Sequence, residues 1–274
     1  MLSRDMRSYV DSRNLFYRRD PRENALPVSD DSKEPSGSVR LDVFLRLSKM
    51  LGVSLTENSR ILDFGCGEGH NTLALRRMGF RAFGCDVTDR CAAARTECRG
   101  LTKEEVFAFS PVSPYRLPYP DQMFDFIFSD HVMEHVLDYD ATLAEMRRVL
   151  NGSGVALHIF PSRYRVLESH LKIPFGGVVT NPLWFALWQG LGQHRDIFPE
   201  EEIPCTGGTA RRNVNWVRSR LNYLSKRELK EKFGRYFRTV RFVESEALKC
   251  EYGVYVPPLS ALISTFHVRV VVLS

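Results

Sequence analysis

Apolar and polar positions alternate along the middle of the chain in a regular series of short strands and helices. Five short, mostly apolar segments have the length and composition of buried strands, at 60–64, 81–85, 105–109, 124–129 and 155–160. Between them, the spacing of apolar residues and the turn signals predict helices at 71–78, 88–99 and 139–150. Strands that alternate with helices predict a mostly parallel α/β sheet.

The pattern changes on both sides of this alternating region. Residues 1–38 are polar and lack a sustained period, which predicts a mobile N-terminal segment, and 39–51 has helical spacing. Residues 151–154 read NGSG and predict a turn before the fifth strand. The alternation then stops over 161–224, which is too long for a plain connection and predicts an insertion that forms a lid.

Regular structure resumes after the insertion. Ser225–Glu228 has the spacing of a capping box, followed by a helix to about Phe233. Two late strands are predicted at 239–243 and 268–273. The whole pattern predicts one α/β domain over 39–274, with a Rossmann-like seven-stranded sheet that is mostly parallel and has a late antiparallel strand.

Composition limits the class of protein. The chain has 274 residues, 43% hydrophobic and 26% charged, as expected of a globular domain. It shows no apolar run near the ~20 residues of a membrane span, and its first residues lack the apolar core of a secretory signal. We therefore expect a cytoplasmic protein without a transmembrane segment. The six cysteines form no CxxC pair, so no metal site is predicted.

Charge is unevenly distributed along the chain. The net charge is +5, and from Asn151 onward 17 Lys and Arg stand against 10 Asp and Glu. Such a basic half could attract a phosphate, a carboxylate or nucleic acid. The charges are dispersed rather than clustered, so an ordinary solvated surface explains them equally well.

The segment 61–69, ILDFGCGEG, carries the main chemical signal. It runs from a strand through a turn with three alternating glycines into a helix, which allows close backbone approach to a ligand. His70 stands where a dinucleotide fingerprint requires glycine, and the GK[ST] of a P-loop is absent. Asp86 ends the second strand, where an acidic side chain accepts ribose hydroxyls. These features predict a nucleoside-like ligand without a pyrophosphate.

The same residues resemble a known family. ILDFGCGEG is similar to the cofactor motif of class I S-adenosylmethionine-dependent methyltransferases. The segments LPYPDQMFDFIFSDHVMEHV, at 117–136, and EMRRVLNGSG, at 145–154, resemble the subgroup related to ubiquinone-pathway ("type 11") methyltransferases. The resemblance covers about 39–160 and implies S-adenosylmethionine as cofactor.

The resemblance also implies roles for individual residues. Asp63 would lie near the amino-acid end of the cofactor, and Asp86 would hold the ribose. Ser129 to His131 would line the floor beneath the reactive methyl. The implied cofactor-binding residues are Asp63, Gly65, Cys66, Gly67, Gly69, Asp86, Ser129 and Asp130. The acidic residue that this family often places near the adenine is missing, since 110–114 reads SPVSP.

The candidate catalytic residues His131, Glu134 and His135 follow the fourth strand, at the carboxyl edge where ligands bind. Methyl transfer mainly requires alignment of acceptor and methyl, and an oxygen acceptor also benefits from a base. His131 is the first candidate for that base, while His135 is also typical of a structural helix residue. Alignment without any base would also suffice, and that alternative stays open.

The insertion mixes aromatic and basic residues. They could form an acceptor pocket, or the aromatics could form a small core under a long loop. The residues concerned are Arg163, Arg165, His170, Lys172, Trp184, Phe185, Trp188, His194 and Arg195. Asn181–Trp184 and Pro204-Cys205 resemble motifs of nucleic-acid methyltransferases, but they stand at the wrong place in the chain and are predicted to be loop residues.

The sequence therefore predicts a methyltransferase that acts on a small-molecule, lipid-linked or glycan acceptor, at oxygen. The segments HLKIPFGG, at 170–177, and NYLSKRELKEKF, at 222–233, resemble methyltransferases of bacterial surface-polysaccharide pathways. An RNA methyltransferase and a non-catalytic protein with the same fold are the alternatives. We expect no stable nucleic-acid partner, because no RNA-binding domain is appended. The oligomeric state is not predicted.

Overall fold

A computed structural model describes residues 38–87, 106–108, 115–194, 208–252, 262 and 264–274. The strands are β1 Arg60–Phe64, β2 Arg81–Asp86, β3 Val106–Ala108, β4 Phe124–Asp130, β5 Leu150–Pro161, β6 Val240–Phe242 and β7 Val268–Leu273. The helices are α1 Ser38–Met50, α2 His70–Arg77, α3 Tyr139–Val149, α4 Pro182–Gly190, α5 Gly208–Arg220, α6 Lys226–Gly234 and α7 Glu244–Tyr252. Residues 1–37 of the predicted N-terminal segment 1–38, the predicted helix 88–99 and the stretch 110–114 lie outside the described residues.

The seven strands form a single sheet in the order β3-β2-β1-β4-β5-β7-β6. The pairs from β3 to β5 are parallel, and β7 runs antiparallel to both β5 and β6. This arrangement confirms the predicted Rossmann-like sheet with a late antiparallel strand. The order reverses between β1 and β4, and the carboxyl edge at such a reversal is where open α/β sheets bind ligands.

Apolar residues are buried on both faces of the sheet. On β4, Phe126 and Phe128 pack with α1, while Ile127 packs on the opposite face with residues of α3 and α6. A strand covered on both faces buries side chains of either parity, which explains why the sequence FDFIFS is almost continuously apolar.

The turn predicted at 151–154 is wrong, because these residues belong to β5. Leu150 pairs with Phe124 and Val155 with Phe126, so β5 carries three more residues than β4 over this interval. The extra residues form a bulge whose Gly152 and Ser153 are exposed. The turn-forming sequence is thus accommodated inside a continuous strand.

The insertion contains the two helices α4 and α5, which pack against each other. Between them lies a separate apolar cluster of Leu171, Ile173, Phe185, Val214, Trp216, Val217 and Leu221. The aromatic residues therefore form a small core, as one of the two interpretations held, and the lid stays a prediction. The loop predicted at Asn181–Trp184 is wrong, because Asn181 caps the N-terminus of α4, while Pro204-Cys205 lies outside the described residues. Among the helices that the structure describes, none is long and apolar enough to cross a bilayer.

Arg148 holds the loop before β4 against α3. Its guanidinium donates hydrogen bonds to the carbonyl oxygens of Leu117 and Tyr119, at 3.0 and 2.8 Å. It also lies 2.7 Å from carboxylate oxygens of both Asp121 and Glu145, and its side chain is only 17% exposed. Because a planar guanidinium satisfies all four acceptors at once, an ammonium cannot replace it.

Arg148→Lys is therefore expected to lower the free energy of unfolding by about 1.5–3 kcal/mol, the usual range for hydrogen bonds to charged groups. The neighbouring Arg147 is exposed, and Arg147→Lys serves as the matched control with an expected change under about 0.5 kcal/mol. Urea unfolding followed by circular dichroism measures both. Equal losses in the two variants would contradict this account of the loop.

Candidate functional site

The turn after β1 lies against the end of β2. The amides of Gly65 and Cys66 both donate to the carbonyl oxygen of Cys85, at 2.8 and 2.9 Å. Gly65 has a φ of +78°, and a Cβ there would lie 2.3 Å from a methyl of Val132. Glycine is required at this position both for its left-handed backbone and for the space.

Sequence reasoning missed Gly84, which makes the same contact possible from the β2 side. A Cβ on Gly84 would lie 2.7 Å from Thr72 Oγ1 and 2.9 Å from Cys66 Sγ. The available signal was a glycine inside an otherwise apolar strand, which marks close approach of another backbone or a ligand.

Gly67 faces open space instead. It has a φ of +55°, and a Cβ built on it would meet no atom within 4 Å. Its amide donates to Asp86 Oδ2 at 2.9 Å, which fixes the carboxylate of Asp86 beside the turn. The backbone here forms a cradle that a ligand could approach closely, with an acidic group at its rim.

Three carboxylates surround the turn. Asp63 is buried and accepts a hydrogen bond from Thr72 Oγ1 at 3.0 Å. The pKa of Asp63 is raised to about 7, mainly by burial and in smaller part by the negative charges of Asp130 and Asp86, against the hydrogen bonds from Thr72. The site therefore favours a ligand that brings positive charge, and it disfavours the anionic pyrophosphate of a dinucleotide.

His131 and Asp130 form a pair where β4 ends. His131 Nδ1 lies 2.7 Å from Asp130 Oδ1. Because an ionised carboxylate only accepts hydrogen bonds, Nδ1 carries the hydrogen and Nε2 is the basic nitrogen. The backbone amide of His131 donates to the carbonyl oxygen of Ile159 at 2.8 Å, and its φ is +55°. An imidazole held in this way can act as a general base.

Ser129 lies inside the sheet. Its side chain is fully buried, and its Oγ is 2.8 Å from Nδ1 of His158 on β5. Desolvation lowers the pKa of His158 to about 3, so this imidazole is neutral. The contact between Ser129 and a cofactor stays a prediction, since the hydroxyl is directed at His158.

Glu134 and His135 lie on a short 3₁₀ turn, Met133–His135, and contact the insertion. Glu134 is buried, and its carbonyl oxygen accepts from the amide of Asn222 at 2.7 Å. Nδ1 of His135 lies 3.2 Å from the carbonyl oxygen of Arg220. Desolvation, and then the neighbouring imidazole of His170, lower the pKa of His135 to about 4. The predicted catalytic trio is thus divided, with His131 paired to Asp130 and the other two residues tied to the insertion.

The basic residues predicted to line an acceptor pocket are not gathered in one place. Arg163 lies 3.5 Å from a carboxylate oxygen of Glu228, and Arg165 donates to Ser169 Oγ at 3.2 Å. Arg195 lies outside the described residues. These two arginines therefore contact different partners and do not form a single anion-binding patch.

Comparison with known proteins identifies the same part of the chain. Residues 62–158 match a family model described as a methyltransferase domain. An uncharacterised methyltransferase of Schizosaccharomyces pombe is 29% identical over 147 residues, which is 46% of this chain and 52% of the relative. The ubiquinone biosynthesis O-methyltransferase of Cereibacter sphaeroides is 28% identical over 151 residues, 53% of this chain and 57% of the relative. The matches thus span about half the length of these relatives.

Solved structures agree on the fold. An S-adenosylmethionine-dependent methyltransferase of Mesorhizobium loti aligns with a TM-score of 0.50 at 15% sequence identity, over 85% of this chain and 98% of the solved chain. At this identity the likeness supports the fold and leaves the acceptor open.

The buried Asp63 predicts a pH dependence of stability. With a pKa near 7 in the fold and near 4 when unfolded, Asp63 binds more protons in the fold between these values. The free energy of unfolding should therefore fall as pH rises from about 4 to about 7. The amide introduced by Asp63→Asn does not ionise. The free energy of unfolding of this variant, relative to that of the unmodified chain, should therefore rise as pH increases from about 4 to about 7.

Thermal unfolding of both proteins at several pH values measures this difference. Asp42→Asn, which removes an exposed aspartate from α1, is the control for loss of one carboxylate. A difference between Asp63→Asn and the unmodified chain that does not change with pH would contradict the burial of an ionisable Asp63.

Proposed function

We infer the activity from the family, since this chain belongs to the class I S-adenosylmethionine-dependent methyltransferases through residues 62–158. On that premise, the protein transfers a methyl group from S-adenosylmethionine to an oxygen of a small-molecule, lipid-linked or glycan acceptor. The observation that carries this proposal is the position of an oriented histidine, His131, next to a glycine cradle ringed by three carboxylates.

The residues of the cradle fit S-adenosylmethionine. The cofactor has a sulfonium and an ammonium group, and the carboxylates of Asp63 and Asp130 supply negative charge for them. The open side of Gly67 gives the room for close backbone approach. The carboxylate of Asp86, held by the Gly67 amide at the end of β2, suits the ribose hydroxyls.

His131 would act on the acceptor. The bound cofactor supplies an activated methyl group, so the protein needs to align the acceptor and manage its proton. An acceptor hydroxyl would give its proton to His131 Nε2, and Asp130 would stabilise the resulting imidazolium. This role for a base supports oxygen as the methylated atom. The name of the Cereibacter relative, an O-methyltransferase, agrees with it.

An exposed apolar stripe on the insertion supports a lipid-linked acceptor within that group. Leu183, Leu187 and Leu191 follow one another at four-residue spacing along α4 and just past its end. They are 80%, 52% and 66% exposed, which is unusual for large apolar residues that share one helix face. Such a stripe would contact an apolar tail while the head of the acceptor lies near His131.

The alternatives have less support. An RNA methyltransferase needs a contiguous basic surface, whereas Arg148, Lys232 and Arg235 lie against carboxylates. A non-catalytic protein would have no use for the left-handed glycine turn together with Asp86.

The decisive experiment incubates the protein with methyl-labelled S-adenosylmethionine and cell extract separated into lipid, glycan, small-molecule, protein and nucleic-acid fractions. We expect label in the lipid or glycan fraction. Gly67→Asp is the control, because aspartate tolerates the left-handed backbone but fills the cradle and places a charge beside Asp86.

Calorimetry should show that S-adenosylmethionine binds the unmodified chain and binds Gly67→Asp at least roughly 100-fold more weakly. That factor corresponds to a loss of about 2.7 kcal/mol of binding free energy. Label confined to nucleic acid would favour the RNA alternative. Cofactor binding without label in any fraction would favour a non-catalytic protein, and equal cofactor binding by both proteins would refute the cradle as the binding site.

The proposed base gives a separate prediction. His131→Ala should lower kcat about 100-fold or more, since a general base contributes 10²–10⁴-fold, while cofactor affinity stays within about threefold. Asp130→Asn should lower kcat as well, because Nδ1 of His131 loses its charged partner. Initial rates with the identified acceptor across pH measure both effects. An unchanged kcat in His131→Ala would leave alignment alone as the source of catalysis.

A further inference from the structure

Two imidazoles from distant parts of the chain face each other at the edge of the insertion. His135 lies on the 3₁₀ turn after β4, and His170 lies in the insertion, 35 residues later. Their Nε2 atoms are 3.2 Å apart, and the two rings are nearly perpendicular, at 81°. Neither the fold nor the proposed methyl transfer explains why these two nitrogens meet.

The partners of the two Nδ1 atoms show which nitrogens carry hydrogen. His170 Nδ1 lies 2.8 Å from Glu168 Oε1, and His135 Nδ1 lies 3.2 Å from the carbonyl oxygen of Arg220. A carbonyl and an ionised carboxylate only accept hydrogen bonds, so each Nδ1 donates. In the neutral rings, both Nε2 atoms therefore direct lone pairs at each other, and this contact requires a positive charge between them.

Glu168 is held in place as an acceptor. It is buried, and its oxygens accept from Tyr223 Oη at 2.7 Å and from the amides of His170 and Leu171 at 2.9 and 2.6 Å. A carboxylate that accepts Nδ1–H of a histidine orients the ring and strengthens Nε2 as a metal ligand.

The separation of the two nitrogens matches a shared metal ion. Two imidazole nitrogens bound to one tetrahedral Zn²⁺ at 2.0–2.1 Å are about 3.3–3.4 Å apart. The observed 3.2 Å lies within about 0.2 Å of that value. A proton shared between the rings would be the alternative positive charge.

A third ligand lies nearby. One carboxylate oxygen of Glu134 lies within 4.8 Å of a ring nitrogen of each histidine, so a modest side-chain movement would bring it to an ion between the rings. Two imidazoles and a carboxylate are a ligand set that Zn²⁺ prefers, and three protein ligands leave one coordination position open. His135 is exposed in part, which gives the ion a route from solvent.

We propose that His135, His170 and Glu134 bind a divalent transition-metal ion, with Zn²⁺ as the preferred ion, and that Glu168 positions His170 for it. The ion joins the 3₁₀ turn after β4 to the insertion. The histidine spacing of 35 residues and the separate Glu134 form no sequence motif, which explains why composition and spacing predicted no metal.

The test titrates Zn²⁺ into tag-free, chelator-treated protein by calorimetry, with Co²⁺ absorption as the second measurement. We expect one Zn²⁺ per chain, and the visible bands of tetrahedral Co²⁺. His135→Ala and His170→Ala should weaken affinity at least about 100-fold, and Glu168→Gln about 10- to 100-fold, as lost outer contacts do. His194→Ala removes another histidine of the insertion and should leave affinity unchanged.

Two outcomes would overturn the proposal. The first is Zn²⁺ affinity of the unmodified chain no tighter than that of His135→Ala, which would mean that the rings share a proton. The second is Co²⁺ bound without tetrahedral bands, and this measurement does not depend on any variant folding. Calorimetry of S-adenosylmethionine binding to His170→Ala separates this test from the proposed methyl transfer. We expect this variant to lose the metal ion and still bind the cofactor in the glycine cradle.

Discussion

The close contact between the turn after β1 and the end of β2 is the constraint on which the site depends. Two amides share the carbonyl oxygen of Cys85, and neither Gly65 nor Gly84 has room for a Cβ. Any larger residue at either position would separate the two strand ends. Because they stay together, Asp86 reaches the amide of Gly67 and the cradle acquires its acidic rim.

The burial of Asp63 beneath this turn has an energetic cost that the rest of the fold must offset. Asp63 is buried beneath the turn with Asp86 and Asp130 close enough to raise its pKa, so its ionised form is destabilised in the absence of positive charge. A cationic ligand would relieve that repulsion, and ligand binding and stability would then be coupled. Strongly perturbed carboxylates are common at functional sites for this reason.

How far the sequence predicts the structure depends on how local each signal is. The strand Val268–Leu273 and the capping box at Ser225 occur where predicted, because apolar runs and caps depend on neighbouring residues. The turn chemistry at 151–154 was overridden by strand pairing with β4. The role of Glu168 and the contact between His135 and His170 had no local signal, since they arise only when the insertion packs against the 3₁₀ turn.

The six residues Asp130–His135 connect the two chemically distinct parts of the molecule. Their first half carries the oriented imidazole of His131, which the carbonyl oxygen of Ile159 holds against the sheet. Their second half carries the residues that contact the insertion, through Asn222 and His170. Since the first half is fixed to a buried strand, the position of the insertion is set relative to His131. A change in how the insertion packs would therefore displace Glu134 and His135 before it displaced the imidazole of His131.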